Sequence, residues 1–548
     1  MSLSDSFSAG YAGLIDGDYD CVDRIILNAY FRFAQTPGGF RTWWRELYGS
    51  DDNLDDAHLV RMAGRFSRRL RAWCKAHHVP VIDCRQGDRK HKIAADLLPE
   101  VTPPDGPPRY GLFCVLVGRA PAPIWTVHRF GNGGLDLGRK SGYVNHYYFH
   151  ILDPEWGHVC IKICGHPPFN AQVMLNGHEF VERAALAQAI PFVKEGNCFT
   201  ELSDARGLMQ LAETLRSPSA AGRLQQVCER WISSSCLCFA LSTDAQRARD
   251  FHYDYSVYPV EFSRNDLFRS KRQRDVFFHD LIDRVRRVLD VKRLKTIFGR
   301  KRVPYKHSDP QPRLELVIER HEHDLTVFKV HFGLLTLKVY TKSAGVLRVE
   351  VITHNTRQLK CGRVLRQYAE IVSKLRSILE RFVGLLAELD MPWISDETIE
   401  TLPQPSDRGS RRVAGIDLNK PRMRAALEAL LSLAASPDGF TTAELASQVS
   451  QQFSSTVTPR QAAYDLGKFR AKGLVQRIPG RTRYQLCADA VRPLAALYVL
   501  REKVIHPLLS RDGHLHRGPL KYQTKIDAQY HRLQREMQQL FKLLRIAA

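Results

Sequence analysis

No stretch of this chain is apolar over the roughly 18 to 20 residues needed to cross a bilayer as a helix, so no membrane span is expected. The N-terminus MSLSDSFSAGYAGLID lacks the basic start and apolar run of a secretory signal, which makes the cytoplasm the expected location. Residues 143–262 hold no recognisable cofactor loop, and no internal repeat is visible. Acidic charge is in short supply: 58 Asp and Glu face 80 Lys and Arg, which leaves a formal charge of +22. Such an excess attracts polyanions and raises their encounter rate, so nucleic acid is the expected partner class.

What is present is length. At 548 residues and 44% hydrophobic content the chain can bury more than one core, and three or four units are expected. Most of the twelve cysteines sit in apolar stretches such as GLFCVLV (Cys114) and SSCLCFAL (Cys236, Cys238), and read as reduced core thiols. One group stands apart. His158, Cys160, Cys164 and His166 of GHVCIKICGH alternate along one face of an extended strand, with His146 and His150 just upstream. Residues strung along one strand do not converge as tetrahedral zinc requires, so no metal is assigned there.

The periodicities point to an α/β and α+β multidomain chain. Residues 1–155 alternate strands (24–31, 79–84, 111–118 and 123–130) with helices, as an N-terminal α/β layer does. One helix, from Leu59 to His77, sets Leu59, Met62, Phe66, Leu70 and Trp73 against a face carrying Arg61, Arg65, Arg68, Arg69 and Arg71. Residues 156–310 are mixed and end in a basic stretch. From Arg264 to Lys306 fifteen Lys or Arg stand against five Asp, interleaved with Phe268, Phe277, Phe278 and Leu281. An amphipathic helix presenting Lys271, Arg272 and Arg274 to phosphates fits this pattern. Residues 311–400 read as an antiparallel β-meander (LELVIER, LTVFKVHFG, LTLKVYTK, LRVEVITH) followed by a long helix, and 401–418 as a linker.

Residues 419–505 carry the sharpest boundary signals. PRMRAALEALLSLAA is a first helix; Thr441 and Glu444 form a capping box that opens a second. Thr458 and Pro459 open a third, RQAAYDLGKFRAK, which Gly473 closes. LVQRI and RYQL then flank Pro-Gly-Arg-Thr as a hairpin. Three helices and a basic hairpin resemble the winged helix-turn-helix of MarR-type regulators. That resemblance implies DNA binding, with Arg460, Gln461, Tyr464 and Lys468 on the recognition helix and Arg477, Arg481 and Arg483 on the wing. In this reading Ala463, Leu466 and Phe469 face the core and Asp465 faces outward. Residues 506–548 form a basic helical tail.

Two further stretches bear on catalysis. Ala12-Gly13-Leu14-Ile15-Asp16-Gly17-Asp18 resembles the signature of LAGLIDADG homing endonucleases, whose acidic end holds a divalent metal. An acidic segment leading into a strand accounts for Asp16, Asp18, Asp20 and Asp23 as well. In the meander Lys338, Tyr340 and Lys342 alternate on one strand, and Arg348 and Glu350 on the next. This is similar to the Tyr-x-Lys and Arg-x-Glu strands of rolling-circle replication initiators. The similarity implies a nucleophilic Tyr340 and a metal, Mg²⁺ if the chain is a nuclease, held by Glu350 and a histidine. His321-Glu322-His323, however, lacks the initiators' hydrophobic centre, and a ladder of cross-strand charge pairs is the structural alternative. VDRIILNAYF, GHPPFNAQVMLNGHEF, KTIFGRK and LTLKVYTK, with the C-terminal module, resemble a mobile-element-associated family of bacterial and archaeal proteins. Sequence-specific DNA binding is therefore the leading expectation. A DNA-processing enzyme with Tyr340, Glu350 or Asp23 in catalysis, and an RNA-binding protein of a ribonucleoprotein, are the alternatives.

Overall fold

The computed structural model describes residues 6–501 except 104, 131–133, 243, 245, 247–251, 289–293, 299–315, 321–325, 333–334, 344, 391–399, 409–410, 435, 437–438 and 454, together with 532, 535, 536 and 539. Contacts divide the chain into two units. One holds Met1–Asp275, Thr296–Arg313 and Val317–Leu379; the other holds Val276–Lys295, Leu314–Leu316 and Glu380–Ala548.

The first unit is organised by long strands. They are β1 (Ile15–Tyr30), β2 (Val81–Asp83), β3 (Gly111–Arg129), β4 (Leu135–Asp153), β5 (Gly157–Cys164), β6 (Ala171–Asn176), the short pair β7 (Phe192–Lys194) and β8 (Phe199–Leu202), and β9 (Asp254–Phe268). Further along come β10 (Leu294–Phe298), β11 (Leu316–Arg320), β12 (Thr326–Phe332), β13 (Leu335–Lys342) and β14 (Val346–Thr353). Twelve of these form one sheet in the order β10-β11-β12-β13-β14-β9-β1-β6-β5-β4-β3-β2. β2 runs parallel to β3, while the pairs from β3 through to β12 are antiparallel, so the sheet is mixed.

This corrects the expectation of a separate N-terminal layer and central meander. β9 pairs with β1 on one side and β14 on the other, and so joins the two into one sheet. β3 is a second correction, because it runs unbroken through Pro121 and Pro123 where two strands were expected. β2 covers β3 only at Val115–Val117, so beyond that point β3 is an edge and the missing proline N–H breaks no ladder bond.

Helices lie before, between and after these strands in the chain. They are α1 (Ser6–Gly10), α2 (Pro37–Tyr48), α3 (Asp56–Ala76), α4 (Lys90–Leu97), α5 (Gly177–Ala187), α6 (Ala205–Glu213) and α7 (Ala220–Ser235), followed by α8 (Lys271–Val288) and α9 (Tyr368–Asp390). Of these, α1 to α6 pack on the sheet. α3 is capped by Asp55, whose carboxylate accepts from His58 N at 2.5 Å, and its buried stripe is Leu59, Met62, Phe66, Leu70 and Cys74. Phe66 packs on Tyr147 and Phe169 at ring-centroid distances of 4.8 and 5.7 Å, which seats the helix on the inner face of β4.

The second unit contains α10 (Pro421–Ala434), α11 (Thr442–Gln452), α12 (Pro459–Ala471), the hairpin β17 (Val475–Arg477) and β18 (Tyr484–Leu486), and α13 (Ala488–Val499). A short ladder, β15 (Ser406–Arg408) with β16 (Arg411–Val413), precedes them. Both capping boxes form, Thr441 with Glu444 and Thr458 with Gln461, each contributing about 1 kcal/mol. Gly473 adopts φ +70°, a left-handed position that favours glycine at a helix end. Phe440 bridges Tyr484, adding a third short segment to the hairpin. Leu427, Leu430, Leu431, Leu445, Val449, Leu466 and Phe469 are buried.

Candidate active centre and nucleic-acid interface

The most concentrated chemistry lies where β13, β14, β9 and β1 adjoin. Along β1, Val22 opposes Phe262 and Ile25 opposes Val260, so Asp23 and Arg24 together face the single residue Glu261 of β9. This is a β-bulge, a local irregularity that re-aims a side chain. Next to it, a Cβ on Gly177 would fall 1.9 Å from Val22 O, so only glycine lets α5 begin against β1. Asn176 caps that helix by accepting from His178 N at 2.8 Å, and His178, fully buried, brings Nδ1 to 3.3 Å from Asp23 Oδ1.

Arg348 of β14 is also fully buried and holds the centre together. Its Nε donates to Asn265 Oδ1, its Nη1 to Asp23 Oδ2 and its Nη2 to Asn197 O, each at 2.6 Å, while Nη2 also lies 3.3 Å from His178 Nε2. Asn197, from the turn between β7 and β8, donates to Asp23 Oδ1 at 2.7 Å and accepts from Lys342. Burial alone would raise the Asp23 carboxyl, but the Arg348 charge, with His178 beside it, reverses this and holds it far below the usual carboxylate range. Burial pushes His178 down to about 4, so the imidazole is neutral at physiological pH.

Beyond this locked half lie groups with more room. Asp23, Glu261 and Glu350 place carboxylate oxygens within 4.8 Å of one another, and Lys338 Nζ sits 3.2 Å from Glu350 Oε2. Glu261 keeps 18% of its side chain exposed and Lys338 24%. Burial, then the charge of Glu350, pushes Glu261 up to about 8. Burial, then the Arg348 charge, pulls Lys342 down to about 8. All three acidic donors are oxygen, the chemistry that suits Mg²⁺, and an ion held there would displace the proton that Glu261 retains at neutral pH.

The alternating Lys338, Tyr340 and Lys342 pair with Glu350, Arg348 and Val346, as a two-residue period requires. The ladder faces inward, with Arg348 and Glu350 2% exposed or less. Burial, then the charge of Glu350, raises the Tyr340 phenol well above its ordinary value, with its bond to Arg348 too weak to compensate. A nucleophilic phenolate is therefore costly to form here, against the expectation for Tyr340. His178, Asn197 and Glu261 escaped sequence reasoning, although an acid inside the apolar run VYPVEF was a usable signal.

The acidic start of β1 does not form the metal end expected from the LAGLIDADG resemblance. Asp16 is a surface residue paired with Arg269 at 2.7 Å. Asp18 is buried against Arg264 at 2.6 Å, and Arg264 also bonds Asp266 at 2.9 Å. Period-two alternation sends Asp18 to the face opposite Asp23. His321, Glu322 and His323 lie outside the described residues. His158, Cys160 and Cys164 do share one half-exposed face of β5, and His150 Nδ1 lies 2.9 Å from His158 Nε2. Among the described residues, the group of three or more His, Cys, Asp or Glu that meets at ligand distance is the Asp23, Glu261 and Glu350 set.

The expected nucleic-acid residues divide into exposed and internal. Lys271 and Arg272 are exposed at the start of α8, but Arg274 is buried and donates to Ser343 O at 2.6 Å and to Asp275. On α12, Arg460 and Tyr464 are exposed, Tyr464 by 60%. The buried stripe is Ala462, Asp465, Leu466, Lys468 and Phe469, so the core face is turned from the one expected and Ala463 is exposed. Asp465 is held by Arg422 at 2.9 Å, and buried Lys468 rests 5.1 Å from the Tyr464 ring centroid, so neither points outward as expected. Gln461 is exposed, yet its Oε1 accepts from Thr458 N at 2.9 Å in the capping box. In the hairpin Arg477 is exposed and donates to Arg481 O at 2.8 Å, while Arg481 is half-buried. Arg483 is turned inward, donating to Glu444 at 2.9 Å and to Gly439 O at 2.8 Å, and ties the hairpin to α11.

Compared with protein-family models, with characterised proteins and with solved structures, the chain matches none of them significantly.

Proposed function

We propose that this protein binds DNA, and that α10, α11, α12 and the β17–β18 hairpin act as a winged helix-turn-helix that selects the sequence. One observation carries the reading. The first turns of α12 leave Pro459, Arg460, Gln461, Ala463 and Tyr464 exposed together, while Ala462, Asp465, Leu466 and Phe469 fix the opposite face in the core. A rigid helix presenting an arginine and a phenol near its N-terminus suits a major groove, where arginine recognises guanine through two hydrogen bonds. The +22 charge adds sequence-independent attraction. Selection of bound duplexes from a random pool, repeated with Arg460→Ala, tests this. The variant loses about 1 to 3 kcal/mol of discrimination at one or two base pairs. Equal weakening on every sequence, or tighter binding of single-stranded RNA than of any duplex, refutes the reading.

A second reading, metal-dependent cleavage or transfer of DNA strands, is favoured by the three carboxylates at the β1 bulge beside Lys338 and Lys342. Its test is Mg²⁺-dependent nicking of supercoiled DNA, lost in Glu261→Gln; a wild type that never nicks removes it.

A further inference from the structure

α3 offers a surface that the helix-and-hairpin module does not explain. Five residues of its buried stripe, Leu59, Met62, Phe66, Leu70 and Cys74, are 4% exposed or less. Opposite them Arg61, Arg65, Arg68, Arg69, Arg71 and Lys75 are all exposed. At 3.6 residues per turn Arg61, Arg65, Arg68 and Lys75 fall within about 80° of arc, with Arg69 and Arg71 on either flank, and the row runs about 21 Å along the axis.

Acidic neighbours do not cancel this face. Asp55 is used as the helix cap, and Asp56 accepts from Val127 N at 2.9 Å. Arg71 meets Asp83 at 2.6 Å and Arg61 lies 3.9 Å from Asp55, both pairs exposed and therefore weak. Among the described residues Arg65, Arg68 and Arg69 have no acidic partner within ion-pair distance. From Ala57 to Ala76 the helix has no Asp or Glu.

We infer that the exposed face of α3 is a second DNA-binding surface, one that grips the phosphate backbone without reading sequence. A membrane surface is the poorer fit, because an interfacial helix needs a free apolar face and that of α3 is packed on Tyr147 and Phe169. The guanidinium fork matches phosphate oxygens two at a time, and five of the six cations are arginines. A duplex presents roughly twelve phosphates over about 21 Å, more than enough to meet the row.

The inference stands apart from the role of Arg460, and its test is blind to sequence choice. Binding of the full chain to a random-sequence duplex is measured across a salt series for wild type and for Arg65→Gln/Arg68→Gln/Arg69→Gln. Each lost phosphate contact removes about 0.9 from the slope of log affinity against log salt, so the triple variant loses about 2.7, with its preference between duplex sequences unchanged. A single Arg68→Glu variant provides an independent check and lowers the slope by at least about 0.9. An unchanged slope in both variants overturns the proposal and leaves a solvated face. So does a triple variant that loses binding to phosphatidylserine vesicles while keeping its DNA slope.

Discussion

Replacing Arg348 with Met tests whether the polar centre is held as its geometry implies. The substitution deletes donors to Asn265, Asp23 and Asn197 and leaves Asp23, 2% exposed, with Asn197 and His178 as its remaining polar partners and the Glu261 and Glu350 carboxylates close by. Breaking a buried pair from one side costs about 3 to 5 kcal/mol, a large part of a typical folding stability of roughly 5 to 15 kcal/mol. The pH dependence carries the sharper signature. In the wild type the Asp23 carboxyl lies below its unfolded value near 3.9, so its contribution is present throughout pH 5 to 8 and is lost only as pH falls through the lower, folded value. Without Arg348 the strongest lowering effect on Asp23 is gone, and the folded value rises because burial, the largest single effect, is left opposed by His178 and Lys342. The variant is then penalised progressively as pH rises from about 4 toward neutrality, and acid partly rescues it. Asp23→Asn/Arg348→Met carries no orphan charge, shows no such slope and is more stable at pH 7 than the single variant. Urea denaturation followed by tryptophan fluorescence reads this out, because six of the seven tryptophans belong to the unit that holds the centre. A cost below about 1 kcal/mol, or a pH profile parallel to the wild type, refutes the assignment.

Glu261→Gln probes the open half of the same centre. The Glu261 carboxyl stands at about 8 against an unfolded value near 4.3, so its contribution is complete below about pH 4.3 and disappears as pH rises through about 8. Melting temperature measured from pH 6 to 9 therefore falls less steeply in the variant, and Mg²⁺ at pH 8 raises it in the wild type alone; parallel curves with and without Mg²⁺ would count against both. Lys271→Gln/Arg272→Gln lowers the salt slope of DNA binding by about 1.8 with no change in urea midpoint, whereas Arg274→Gln, which loses a buried bond to Ser343 O, lowers the midpoint. A wild-type slope in the double variant returns the start of α8 to a solvated face.

Where the sequence could be read, the signal was local. Thr441 with Glu444, Thr458 with Pro459, and Gly473 mark helix ends through neighbours three or four residues away, and those ends lie where the residues put them. The period of α3 was equally legible, since Leu59, Met62, Phe66 and Leu70 recur in a single element. What escaped depends on distant partners. The pairing of β1 with β9 joins residues about 240 apart, and nothing in either strand announces it. Arg348 and Glu350 were visible as an alternating pair, but Asp23, His178 and Asn197 reach Arg348 from three other segments. Residues of α12 were misplaced for a related reason. A buried Asp465 is admissible only because Arg422 on α10 meets it, and propensity cannot supply that partner.

Burial divides the polar centre into two halves with different capacities. Asp23, Arg348, His178 and Asn265 are each 3% exposed or less, and the guanidinium directs all three of its nitrogens at acceptors. β9 lies between β1 and β14, so the Asp23 to Arg348 pair reaches across it and ties its two neighbours together. Such a group cannot meet a substrate without giving up the bonds that place it; its role is to fix the bulge and hence the direction of its neighbours. Glu261, Lys338, Tyr340 and Lys342 are less enclosed, and two of them, Glu261 and Lys342, stand near pH 8, where a proton moves at little cost. The partly exposed groups of this centre are thus two lysines, Tyr340 and the Glu261 carboxyl, whereas the locked half is closed to solvent. Arg348→Met and Glu261→Gln should therefore separate, the first acting on stability and the second on any metal-dependent chemistry with the fold intact. A Glu261→Gln variant as unstable as Arg348→Met would mean that the two halves are one structural network.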